Sequence, residues 1–115
     1  MSDSSDKSLL ILCRRAPGGS AQPRELLDIA LTAAAFDCAP QLLFADDGVC
    51  QLLPGHDFTG LIEALPVYGI ERVFVDAQAL ARRGIDPARL LLPATPLDAA
   101  EIADLLDAQQ LLLGG

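Results

Sequence analysis

Apolar residues along this chain fall into short unbroken runs, and the stretches between them carry helical spacing or turn residues. Leu9-Leu10-Ile11-Leu12-Cys13 and Leu42-Leu43-Phe44-Ala45 are the longer runs, and Arg72-Val73-Phe74-Val75 is a shorter one entered through a charged residue. Runs of this length, bounded by turn residues, predict strands buried on both faces. Leu90-Leu91-Leu92 reads as a short fourth strand and Leu111-Leu112-Leu113 as a final one. Between the first two runs, Leu27, Ala30, Leu31 and Ala34 recur at helical spacing, with Leu26, Ile29 and Ala33 as a second stripe beside them. The spacing predicts a helix over Arg24 to Phe36. So wide an apolar face suits a helix wedged between a sheet and a neighbour, either a second helix or another subunit.

The later connections follow the same logic. Asp57 is placed to cap a helix over Phe58 to Tyr68, which Pro66 should kink or shorten and Gly69 should end. An Ala-rich helix over Ala77 to Arg83 is closed by Gly84. Thr95 can cap a further helix, with Pro96 at its first position and Asp98 where a capping box wants an acid. That helix runs to about Ala108 and turns Ile102, Leu105 and Leu106 inward. Apolar strands alternating with helices imply an α/β domain with a parallel sheet covered on both faces. Residues 1–7 read as a polar, disordered tail and residues 8–115 as one domain. No internal repeat is visible.

One stretch stands out, Leu42 to Gly55, LLFADDGVCQLLPG. The second run stops at Asp46-Asp47-Gly48, which cannot continue its burial, so the chain is expected to surface there. A second apolar cluster, Val49 to Leu53, is cut off by Pro54-Gly55. The carboxyl ends of strands are where open α/β sheets meet ligands and partners, so this loop is the first candidate for function.

Composition narrows the classes. The 115 residues are 51% hydrophobic and only 4% aromatic, so the core is aliphatic. The formal charge is −8, and no basic cluster exceeds the pairs Arg14-Arg15 and Arg82-Arg83. Direct binding to nucleic acid is disfavoured, because few cations are present to displace its counterions. An acidic chain of this kind is expected to meet another protein. No apolar run approaches the roughly 20 residues of a membrane helix. Cys13, Cys38 and Cys50 form neither a CxxC nor a zinc spacing, and no metal or cofactor is expected. Their odd number, with a polar, acidic start unlike a secretory leader, points to the cytoplasm.

Several residues invite chemistry. The loop Arg14 to Pro23 lies where phosphate-binding loops lie, but APGGSAQP is neither GxGxxG nor GxxxxGK[ST], and an ordinary turn is favoured. Asp46, Asp47 and Asp76 suggest a Mg²⁺-binding phospho-receiver. The only lysine, Lys7, precedes the first strand, so solvated turn acids are favoured, with Asp46 bonding backbone N–H groups of its own loop. Cys13 sits beside Arg14 and Arg15, which would favour a thiolate and make it the candidate reactive thiol. Cys50 follows two acids, a poorer setting, and Cys38 lies in a turn. A structural role is favoured for each cysteine, and a solvated loop role for His56.

Ala45 to Gly55, ADDGVCQLLPG, resembles the signature loop of the TusC/DsrF family, subunits of DsrE-like sulfur-relay complexes. The resemblance takes in Ala16-Pro17-Gly18-Gly19-Ser20 and Arg24-Glu25-Leu26-Leu27-Asp28 before the loop. After it come Tyr68-Gly69-Ile70, Arg83-Gly84-Ile85-Asp86-Pro87 and Ala94-Thr95-Pro96-Leu97. It implies a compact α/β/α sandwich of about five mostly parallel strands. It also implies a non-catalytic subunit that joins TusB-like and TusD-like proteins in a heterohexamer. That complex takes persulfide sulfur from a TusA-like carrier and passes it through a TusE-like one, toward 2-thiouridine at the tRNA wobble position. The DsrEFH counterpart serves sulfur oxidation instead. The sulfur-accepting TusD/DsrE subunit carries a cysteine just after strand three, before a small-residue helix ending Arg-Arg-Gly. Counting back from Gly84, that position is Asp76 here, and a carboxylate cannot carry a persulfide. Asp46, Asp47, Gly48, Val49, Gln51, Leu52 and Leu53, with the first helix, are then candidate subunit contacts. The alternative is a thiol carrier acting through Cys13 or Cys50.

Overall fold

The computed structural model describes residues 9–109 and 111–114, so the tail over residues 1–7 lies outside the described residues. The apolar runs build one sheet from β1 (Leu9–Cys13), β2 (Gln41–Phe44), β3 (Val73–Asp76), β4 (Thr95–Leu97) and β5 (Leu111–Gly114). Its order is β4-β3-β2-β1-β5, and every neighbouring pair is parallel. The connections are made by α1 (Gln22–Ala35), α2 (Thr59–Ala64), α3 (Ala77–Arg82) and α4 (Ala99–Asp107).

The register sorts the strand residues onto two faces. Ile11, Cys13, Leu42, Phe44, Val73 and Val75 face one way, into a core closed by Leu27 and Ala30 of α1, Ile62 of α2, and Ala79 and Leu80 of α3. Leu10, Leu43 and Ala45 face the other way, beneath Ile102, Leu105 and Leu106 of α4. The second layer is thin, since α4 has no fully buried residue. The architecture is the expected α/β/α sandwich, with three helices on one face and one on the other.

α1 begins two residues before Arg24, because Pro23 fits the first turn, where its missing N–H costs nothing. Its wide apolar face is only partly wedged: Leu26, Leu27, Ala30 and Ala34 are buried, whereas Ile29 stays 44% exposed. The expected helix over Phe58 to Tyr68 is α2 followed by a separate 3-10 turn, Pro66–Tyr68. Pro66 enforces the break, and Gly69 ends the turn with φ of +87°, a conformation that favours glycine. Asp57 does not cap α2. The Phe58 N–H is instead accepted by His56 Nδ1 at 3.3 Å.

Two further expectations are corrected. Leu90-Leu91-Leu92 is not a strand: Leu92 buries itself in the main core, and the Leu91 N–H donates to the Leu52 carbonyl at 2.7 Å. The fourth strand is Thr95–Leu97, pairing β3 through Phe74 and Thr95. Pro96 therefore lies in an edge strand, where a missing donor is tolerated. The last helix starts later than Thr95 implied. Its N-cap is Asp98, in a full capping box: Asp98 Oδ1 accepts from the Glu101 N–H at 2.8 Å, and Glu101 Oε1 accepts from the Asp98 N–H at 2.9 Å.

Candidate functional site

The loop after β2 winds into a 3-10 helix, Asp46–Leu52, lying across the carboxyl ends of β1, β2 and β3. Asp46 opens it with φ of +51°, which an aspartate tolerates better than most residues. In place of the expected bonding to Asp46, the N-cap is Ala45, whose side chain cannot cap, and the Gly48 N–H goes to the Ala45 carbonyl at 2.8 Å. Only Asp46 and Asp47 reach solvent in the first turn. Gly48, Val49, Gln51 and Leu52 are buried, and Leu53 is half-buried. The expectation that the chain surfaces here thus holds for two residues, because the 3-10 winding turns the next ones back into the core.

Close approach explains the glycine. A Cβ on Gly48 would lie 1.9 Å from the Cys13 carbonyl oxygen. The loop backbone therefore rests directly on the end of β1. Gln51 extends the anchorage: its Nε2 donates to the Arg15 carbonyl at 2.8 Å, while its buried Oε1 has no partner among the described residues. His56 fastens the far end. With Nδ1 accepting from the Phe58 N–H, the ring's proton sits on Nε2, which donates to the Gln51 carbonyl at 2.8 Å. His56 is a strap of this loop and not the solvated residue the sequence suggested.

Charged groups meet at the loop's outer edge. Arg83, at the end of α3, donates through Nη2 to Asp47 Oδ1. The bond to Asp47 raises the arginine's pKa, desolvation opposes the rise, and Cys50 beside it adds to it. Sequence reasoning singled out Asp47 but missed Arg83. The Arg-Arg-Gly triplet, at the mouth of the sheet once α3 is laid down, was the available signal.

Cys13 behaves opposite to the thiolate expectation. It is 1% exposed, its neighbours Arg14 and Arg15 point to solvent, and burial pushes the thiol up to about 12. Cys50 is half-buried and Cys38 exposed. Asp76 ends β3 and caps α3, its Oδ1 accepting from the Gln78 N–H at 3.0 Å and the Ala79 N–H at 3.2 Å. Among the described residues, no three His, Cys, Asp or Glu side chains gather to hold a metal ion. Among them, no helix is long and apolar enough to cross a membrane.

Comparison with known proteins bears on this geometry. A model of the DsrE/DsrF-like family matches residues 7–113. The chain is 40% identical over 108 residues to a protein named TusC homolog from Pseudomonas aeruginosa, covering 87% of this chain and 91% of that one. It is 36% identical over 102 residues to Protein TusC of Escherichia coli, covering 81% and 86%. The crystal structure of the ychN protein from E. coli superposes with a TM-score of 0.80 at 19% identity, covering 95% of this chain and 99% of that one. That last likeness is one of fold.

Proposed function

The chain belongs to the DsrE/DsrF-like family, and from that footing we propose that it is a non-catalytic subunit of a cytoplasmic sulfur-relay complex. In this reading it assembles with TusB-like and TusD-like subunits into a heterohexamer. The complex receives persulfide sulfur from a TusA-like carrier and hands it on through a TusE-like one, toward 2-thiouridine at the tRNA wobble position. The relatives named TusC support the tRNA branch over sulfur oxidation.

One observation carries the reading. Family resemblance puts the sulfur-accepting cysteine of the D-type subunit at the position of Asp76, and here Asp76 caps α3 through Oδ1. A helix N-terminus stabilises a negative group, thiolate or carboxylate alike. The carboxylate keeps the structural half of that role and has no sulfur to carry. The test is co-expression with the TusB-like and TusD-like proteins of the same genome, followed by loading with radiolabelled persulfide. A stable complex with label on the D-type chain alone is expected. A chain that stays monomeric, or label held covalently on it, overturns the reading.

A second reading, a thiol carrier in its own right, rests on Cys50. That cysteine is half-buried beside Arg83, whereas Cys13 is sealed in the core. Alkylation with mass mapping separates the two readings. Fast labelling of Cys50 near neutral pH, with uptake of an extra sulfur from a persulfide donor, favours the carrier; slow thiols favour the scaffold.

A further inference from the structure

We propose that the exposed stripe of α1, with the Pro66–Tyr68 turn packed beside it, docks a protein whose contact face is apolar at its centre and ringed by lysine and arginine. The proposal rests on the assembly reading above and places the contact away from the strand ends. Four large apolar side chains stand out here: Ile29 at 44% exposed, Phe36 at 76%, Val67 at 82% and Tyr68 at 49%. They stand on two segments that touch, α1 with its C-cap and the turn. Between Ile29 and Phe36 the helix surface is hollowed into an open groove of about 350 Å³, lined also by Asp28, Thr32 and Ala33. Apolar surface gathered at one place, with acids around it, marks an interaction site.

Charge decides the occupant. Glu25, Asp28 and Asp37 border the stripe on α1, and Glu63 and Glu71 border the turn, all exposed. The same two segments, 22–37 and 59–72, offer only Arg24 and Arg72 in return. A second copy of this chain would bring acids onto acids, and the net charge of −8 adds to that repulsion. Nucleic acid and anionic membranes are repelled for the same reason. The groove is too open and too poor in polar groups to fix a small ligand. A basic-rimmed protein surface satisfies both its apolar floor and its acidic edge.

The experiment uses the full chain co-expressed with the TusB-like and TusD-like proteins of its genome. Assembly is read by light scattering on a sizing column, and affinity by titration of the purified partners. Phe36→Asp and Val67→Asp alter exposed positions, so an unchanged far-UV spectrum and melting temperature certify the fold. Each is expected to weaken assembly by at least about tenfold, as central apolar contacts do. Asp28→Lys is expected to weaken it by about threefold or more. Raising salt from roughly 0.05 M to roughly 0.5 M should do the same through screening. Folded variants that assemble with unchanged affinity overturn the docking surface and leave the relay reading standing. A wild-type chain that fails to assemble overturns both. Insensitivity to salt and to Asp28→Lys overturns the basic rim. A homodimer of the lone chain, abolished by Phe36→Asp, makes a second copy the occupant and also overturns the proposal.

Discussion

At the scale of single residues, Gly48 leaves less room for a side chain than any other described glycine. Its Cα faces the Cys13 carbonyl with no room for a further carbon. Gly48→Ala must push the loop off β1 and disturb the bonds of Gln51 and His56 downstream. The expected loss is roughly 2–3 kcal/mol, the cost of overpacking a closed site, measured by urea denaturation. Cys13 makes a different prediction, in pH. Its thiol is raised from an ordinary 9.0 to about 12 by burial. Below 9 both folded and unfolded chains keep the proton, so the group is neutral in its effect on pH dependence. Between about 9 and about 12 only the unfolded chain gives it up, and stability drains as pH rises. Unfolding free energies across that window should fall more steeply for wild type than for Cys13→Ala, whatever the two proteins' absolute stabilities. Equal slopes refute the assignment.

Elements show where a sequence speaks clearly and where it does not. β1 is legible to the residue because five apolar positions end at a charged pair. β2 and β3 are each displaced by one residue, the ordinary uncertainty of a strand end. The fourth strand departs from its expected place for a definite reason. Leu90-Leu91-Leu92 has the composition of a strand, but a run of three carries no period, and tertiary contact with Leu52 claims it. Thr95-Pro96-Leu97 has the composition of a helix start, yet the ladder with β3 claims it. The cap then falls to Asp98, whose box with Glu101 is as clear a signal three residues on. Asp98→Ala should cost about 1 kcal/mol and speed amide exchange in α4 before the rest of the fold. Exchange that accelerates uniformly would show that α4 has no separate stability. The candidate loop was legible as a location, and its apolar residues were not legible as core. Nothing in DDGVCQLL announces a 3-10 turn, whose three-residue period folds Val49 and Leu52 onto one side.

For the whole molecule, charge and topology set the behaviour. The chain carries −8, and Arg83–Asp47 offsets little of it at an exposed edge. Salt should therefore stabilise the isolated chain by screening its self-repulsion. A melting temperature that rises by a few degrees, worth about 1 kcal/mol in a domain of this size, is expected on going to high salt. A flat or falling profile refutes it.

The order of the sheet has a consequence for synthesis on the ribosome. β2, β3 and β4 each join the growing edge as they emerge, but β1 borders β5, the last of these five strands to be made. Until Leu111–Gly114 leaves the exit tunnel, one flank of β1 has its backbone donors and acceptors bare. The nascent protein thus waits with a sticky seam along β1, and only the emergence of β5 closes it.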